Sequence, residues 1–163
     1  MSEVSIERVG AEAVDRFEPL WLGMLAHHGG VETTIPMQPP ETSWRVRREL
    51  YARMLAEPGA FALLATRNGV DVGYCVVHVH RGPDDTWVTG DVAEVESLAV
   101  TAEERGSGIG TQLLDRVDAE LAEAGIVDLQ IAVVAANADA LRFYQRRGLA
   151  PRLVMLSNFG RPR

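Results

Sequence analysis

The residues best suited to chemistry lie between Glu94 and Gly125, in EVESLAVTAEERGSGIGTQLLDRVDAELAEAG. At its centre, Arg105-Gly106-Ser107-Gly108-Ile109-Gly110 follows an apolar strand ending Leu98-Ala99-Val100 and opens a helix whose apolar positions include Ile109, Leu113, Leu114, Val117 and Leu121. The first N–H groups of a helix have no acceptor within it and lie at the positive end of its dipole. A phosphate fits there. Glycines at 106, 108 and 110 let the backbone come close to a pyrophosphate, Arg105 adds a charge-assisted contact, and Ser107 and Thr111 offer hydroxyl or N–H contacts to the same group.

The spacing narrows the kind of phosphate ligand. A Walker loop needs Lys then Ser or Thr after its last glycine, and here Thr111-Gln112 follows Gly110. A dinucleotide loop needs a third glycine where Thr111 stands. What does match is R/Q-x-x-G-x-G/A, through Arg105, Gly108 and Gly110. In this the chain resembles the GNAT superfamily of acyl-CoA-dependent N-acyltransferases. A second block, NADALRFYQRRG (residues 137–148), follows the apolar run LQIAVVA (residues 129–135) and strengthens the resemblance. The resemblance implies acetyl-CoA as cosubstrate, with Asn137 facing the pantetheine arm and Tyr144 the thioester sulfur. It implies that Leu98, Ala99 and Val100 offer main chain to that arm where two central strands splay apart, and that a homodimer is possible.

Acyl transfer to an amine sets further demands. A protonated amine must lose a proton before attack, and a carboxylate relayed through water serves. Glu94 is the first candidate, because the resembled pattern most often carries an acid there, and Glu96 the second. Regular alternation puts both on the strand face shared with Leu98 and Val100. Main-chain N–H groups near Leu98 to Val100 suit the developing oxyanion, and Tyr144 suits the departing thiolate as general acid. Plainer roles stand beside these: an ion-paired sheet face for the two glutamates, a core tyrosine packed with Leu141 and Phe143, a helix cap for Asn137, and a salt bridge from Arg105 to Glu103 or Glu104. His78 and His80 share a strand face, and with His27-His28 they raise the question of a metal; a carboxylate or cysteine in register is not evident, and no metal is expected. Cys75 reads as a small buried hydrophobe.

Around these residues the chain falls into elements that can position them. Residues 4–8 alternate as an edge strand. A helix is expected from about Ala11 to His27, with Val14, Phe17, Leu20, Trp21 and Met24 on one face. A long Gly- and Pro-rich loop follows, then a helix capped by Glu41 or Thr42 and running to about Leu55, with Trp44, Val46, Leu50, Met54 and Leu55 apolar. Phe61–Arg67 and Val70–His80 form a hairpin around Asn68-Gly69. RGPDDTWVTGD (residues 81–91) is a polar connection placed to rim an acceptor cleft, and a last strand is expected over Pro151–Asn158 before the tail FGRPR. The fold expected is α/β and GNAT-like, a mixed, mostly antiparallel sheet of six to seven strands flanked by about four helices.

Bulk properties bound the rest. The 163 residues make one domain's worth of chain, with 47% hydrophobic and 24% charged residues. One cysteine allows no internal disulfide. A net charge of −7 argues against broad nucleic-acid binding. The opening MSEVSIERVG carries no leader pattern and no run is long enough to span a bilayer, so a cytoplasmic protein without membrane contact is expected. The activity expected is N-acetyl transfer to a small-molecule or peptide amine; a non-catalytic acyl-CoA sensor is the alternative, in which Glu94 and Tyr144 would be expendable.

Overall fold

Residues 3–160 are described by a computed structural model; residues 1 and 2, and residues 161–163 of the expected tail, lie outside it. In chain order the elements are β1 (Ser5–Val9), a 3-10 helix (Ala11–Phe17), α1 (Glu18–Val31), α2 (Pro40–Leu55), β2 (Phe61–Arg67), β3 (Val70–Arg81), β4 (Asp91–Val100), a short 3-10 turn (Ala102–Glu104), α3 (Ile109–Ala124), β5 (Asp128–Ile131) and α4 (Ala138–Arg146). The sheet runs in sequence order, antiparallel from β1 to β4 and parallel between β4 and β5. The β2–β3 hairpin forms where expected because Asn68 and Gly69 both take positive φ, 52° and 76°, which matches the twist of a tight two-residue turn.

Two apolar layers flank the sheet. On one face, Leu63, Cys75, Val77, Ala93 and Val95 pack beneath Ile109, Leu113, Leu114, Val117 and Leu121 of α3, so the helical spacing of those five residues is their burial. On the other, Ala62, Leu64, Tyr74, Val76 and Ala99 meet Phe17, Leu20, Trp21, Trp44 and Tyr51. Tyr51 is the anchor of α2: its hydroxyl donates to Ser97 Oγ at 2.6 Å and lies 2.9 Å from that of Tyr74, while burial pushes its pKa up to about 12. Val46, expected in the apolar stripe, is exposed instead.

Four further expectations are corrected. The first helix is interrupted: Pro19 at the first turn of α1 lacks an N–H, so the preceding segment winds as a separate 3-10 helix. Neither Glu41 nor Thr42 caps α2, which begins after Pro39 without a side-chain cap. The described sheet has five strands, not six or seven. β5 ends at Ile131, and Pro151–Asn158, expected as the last strand, pairs with no strand, its side chains exposed.

The feature that matters most for the site is a bulge in β4. Val76 pairs with Ser97 and Val77 with Val95, so Glu96 is the extra residue. The parity of the strand switches there. Ala93 and Val95 face α3, Glu96 and Ser97 both face the α1–α2 layer, and Leu98 and Val100 pack against the α3 side. Glu94 and Glu96 therefore lie on the opposite face from Leu98 and Val100, against the expectation from regular alternation.

Candidate active site

β4 pairs with β5 only from Val92 to Val95, then continues alone to Val100 while the chain after Ile131 diverges. The gap opens into a cleft of about 690 Å³. Glu96 to Val100 form one wall and Ile131 to Val134 the other; Asn137, Ala140, Phe143 and Tyr144 of the α4 region close it along the side. Thr101 N–H bonds back to Val72 O at 2.9 Å, so by alternation the N–H groups of Leu98 and Val100 point away from β3 and into the gap.

One end of the cleft is made of main chain. Gly106 and Gly108 hold φ of 78° and 88°, a region that side chains with a Cβ enter at a cost, and Gly108 is the N-cap of α3. The first helical bond runs from Gln112 N–H to Gly108 O at 3.0 Å, which leaves the amides of Ile109, Gly110 and Thr111 without helical acceptors at the mouth. Arg105 lines the same end and has no carboxylate partner among the described residues; Glu104 is ion-paired with Arg67 instead. Ser107 does not line the cleft, because its hydroxyl and N–H both donate to Glu104 O, at 2.6 and 3.2 Å. This end fits a pyrophosphate: a row of unpaired N–H donors, a helix dipole and a free guanidinium.

Midway, Asn137 caps α4, its Oδ1 accepting from Ala140 N–H at 3.1 Å, and also lines the cleft, so capping leaves the residue on the cleft wall. Tyr144 is buried in the wall, with Phe143 edge-on at 5.0 Å. Burial, and then the nearby Cys75, push its hydroxyl well above the ordinary tyrosine pKa, which keeps the proton on oxygen across the neutral range. Cys75 itself is fully buried and its thiol is pushed up, which leaves no thiolate for nucleophilic work at neutral pH.

The other end is made of side chains. Trp21, Met24, His27 and His28 of α1 and Arg47 of α2 line it with Glu96. The Arg47 guanidinium is ion-paired with Glu96 and stacks over the Trp21 ring at 4.1 Å. Desolvation, reinforced by His27 and Arg47, pulls His28 below the usual imidazole pKa. Glu94 is not on the cleft wall: it accepts from Gln130 Nε2 at 2.8 Å and lies 3.0 Å from His80 Nε2. His78 Nε2 stands 3.8 Å from a carboxylate oxygen of each glutamate, so the histidine does have carboxylates in register, contrary to the sequence reading. His78, Glu94 and Glu96 bring three potential ligand atoms within 4.8 Å of one another.

Of the residues singled out from sequence, Glu96, Leu98, Ala99, Val100, Arg105, Gly106, Gly108, Ile109, Gly110, Thr111, Asn137 and Tyr144 meet on one cleft; Glu94 and Ser107 do not line it. The 81–91 connection is not on its rim. Sequence reasoning missed Arg47, one arginine among four in α2, and Gln130, whose only signal was alternation within a four-residue strand. No helix among the described residues is long and apolar enough to cross a membrane.

Three comparisons bear on this geometry. The pattern of the acetyltransferase (GNAT) family matches residues 31–149. An aminoalkylphosphonate N-acetyltransferase of Salmonella typhimurium is 31% identical over 112 residues, covering 66% of this chain and 68% of its own length. An IAA acetyltransferase of Azospirillum brasilense is 32% identical over 98 residues, covering 60% of each chain. Among solved structures, an aminoglycoside N-acetyltransferase in complex with CoA superposes with a TM-score of 0.71 at 14% identity, over 97% of this chain and 96% of that one.

Proposed function

The chain belongs to the acetyltransferase (GNAT) family and is an acyltransferase, and on that premise we propose that it passes the acetyl group of acetyl-CoA to a primary amine by direct attack in a ternary complex. The observation that carries the proposal is a single cleft with unpaired helix-start amides and Arg105 at one end and a carboxylate at the other. Arg105, Gly106, Gly108, Ile109, Gly110 and Thr111 would hold the pyrophosphate, and Asn137 with the exposed main chain of Leu98 to Val100 the pantetheine arm. A bound thioester supplies an acyl carbon already activated for attack.

Glu96 faces the cleft and is the residue we assign to take the amine's proton, directly or through water, with Glu94 and His78 one step behind to share it. The N–H groups of Leu98 and Val100 face the gap and suit an oxygen that gains charge during attack. Tyr144 acts at the sulfur. Its raised pKa makes the phenol a weaker acid than an ordinary thiol, so it works chiefly by donating a hydrogen bond to the thiolate. The reading calls on no metal. The relatives' names support a small-molecule amine as acceptor; a peptide amine suits the same chemistry. Our reading also takes the 163 residues as a single domain that works in the cytoplasm, away from nucleic acid.

Thermal unfolding with CoA, acetyl-CoA, ATP and NAD in parallel tests the cofactor half, since a ligand of the folded state raises the midpoint. A shift with the CoA species alone supports it, and a larger shift with ATP or NAD overturns it. Thiol release on a panel of amines tests the enzyme half, with Glu96→Gln and Tyr144→Phe expected to slow turnover while the CoA-induced shift persists. CoA binding without turnover on any amine would favour a sensor.

A further inference from the structure

Arg105 reaches the cleft directly after two glutamates, Glu103 and Glu104, and either could neutralise it from close by in the chain. Neither does. Glu103 is exposed and enters no ion pair among the described residues, whereas Glu104 is ion-paired with Arg67 at the end of β2, 37 residues away. The backbone shares in this arrangement: Glu104 N–H donates to Thr101 O at 3.1 Å, and Glu104 O accepts the N–H and the hydroxyl of Ser107 at 3.2 and 2.6 Å. Glu104 is thus held at its amide, its carbonyl and its carboxylate, while Arg105 beside it stays exposed on the cleft wall.

Stability alone gives little reason for this pair. The Arg67 and Glu104 side chains are only 15% and 19% exposed, so both charges give up most of their water. The Arg67 Nε is buried and finds no acceptor among the described residues, which leaves a donor unsatisfied. In such a setting desolvation offsets much of the attraction, and apolar residues of similar volume would hold the strand end as well. Apolar residues could not, however, draw a carboxylate off the Arg105 end of the cleft, whose wall Glu104 helps to form. A free carboxylate there would repel an anion at the start of α3 and would offer Arg105 a partner.

We infer that Arg67 is a positioning residue for the phosphate site: it holds the Glu104 carboxylate away from the bound anion and leaves the Arg105 guanidinium free to meet it. The inference rests on the proposed CoA site and goes beyond it, because Arg67 belongs to β2, does not line the cleft and acts only through Glu104. Its signature is specific. Removing Arg67 harms anion binding through the charge on Glu104, so removing that charge as well repairs the damage; a role confined to bracing the loop would leave both variants equally impaired.

Calorimetric titration of CoA into the parent, Arg67→Met, and Arg67→Met combined with Glu104→Gln reads this directly. Arg67→Met should raise the Kd by roughly three- to tenfold with kcat at saturating cosubstrate unchanged, and the double variant should return to within about twofold of the parent. Arg67→Lys, which keeps the charge, should stay near the parent, and Arg67→Gln carries the same expectation as Arg67→Met if the apolar variant does not fold. An unchanged Kd in the single variant overturns the inference, and so does a loss that Glu104→Gln fails to repair. If the parent itself binds no CoA, it is the cofactor reading that fails, and the state of Arg105 is then read by phenylglyoxal labelling with peptide mapping. Arg105 should be modified more slowly in Arg67→Met than in the parent, and at the parent's rate in the double variant. Equal rates in all three overturn the inference.

Discussion

The two ends of the cleft are built on different principles. The Arg105 end is backbone: amides of a helix start, two glycines with positive φ and one guanidinium without a carboxylate partner among the described residues. The opposite end is side chains: Glu96 against Arg47, Arg47 over Trp21, and a half-buried pair of histidines beside them. A backbone site needs little beyond conformation, so a handful of glycines at fixed spacing defines it. A side-chain site needs residues brought from α1, α2, β3, β4 and β5, and each owes its place to a contact distant in sequence.

If that division holds, substitutions at the two ends should damage different kinetic quantities. The largest effect expected is from Glu96→Gln combined with Glu94→Gln, a fall in kcat of about 10²-fold or more with KM for acetyl-CoA nearly unchanged; a rise in that KM with kcat intact would break the division. Next, Gly108→Ala forces a Cβ into the left-handed region at roughly 1–2 kcal/mol, and we expect it to raise the Kd for CoA by about tenfold or more while lowering the thermal midpoint. Calorimetric titration checks the first effect and a melting curve the second. Arg105→Ala should weaken CoA by up to about tenfold, with a smaller salt dependence than the parent and no change in kcat at saturation.

A smaller effect is predicted for pH. The folded protein holds the pKa of His28 below the unfolded value near 6.5, so the unfolded chain binds its proton first. The stability linked to this group is complete above pH 6.5 and is lost as pH falls toward the lower folded value. Thermal midpoints should therefore decline below about pH 6.5, and His28→Gln should flatten that decline; an unchanged slope would show the group to be idle. Smallest of all, a chelator should leave thiol release unchanged, and activity restored only by a divalent ion would reassign His78, Glu94 and Glu96 as ligands.

The same contrast explains what the sequence revealed. The glycine loop, the apolar stripe of α3, the Asn68-Gly69 hairpin and the Asn137 cap are local rules, and each appears where expected. The fate of Glu94 was not local. One inserted residue at the β4 bulge reverses the parity of everything after it, and nothing in EVESLAV marks which residue is extra. The exclusion of Ser107 is similar: its hydroxyl is engaged by a carbonyl three residues back, a turn that the spacing of glycines does not specify. Arg47 needed the packing of α2 across the sheet before it could be seen, and the unpaired C-terminal segment needed knowledge of which edge lacked a partner.

Cys75 carries one last implication. It is the only thiol in the chain, lies at the centre of the sheet opposite Leu63 on one side and Leu98 on the other, and is sealed from solvent. A thiol-reactive dye can label it only when the middle of the sheet comes apart, so the labelling rate of the unmodified protein is a clock for that opening. Over short times the clock is silent, and dye colour in a turnover experiment belongs to released CoA alone. Over long times it ticks, and any molecule that prefers the closed protein will slow it without a label having to be engineered in.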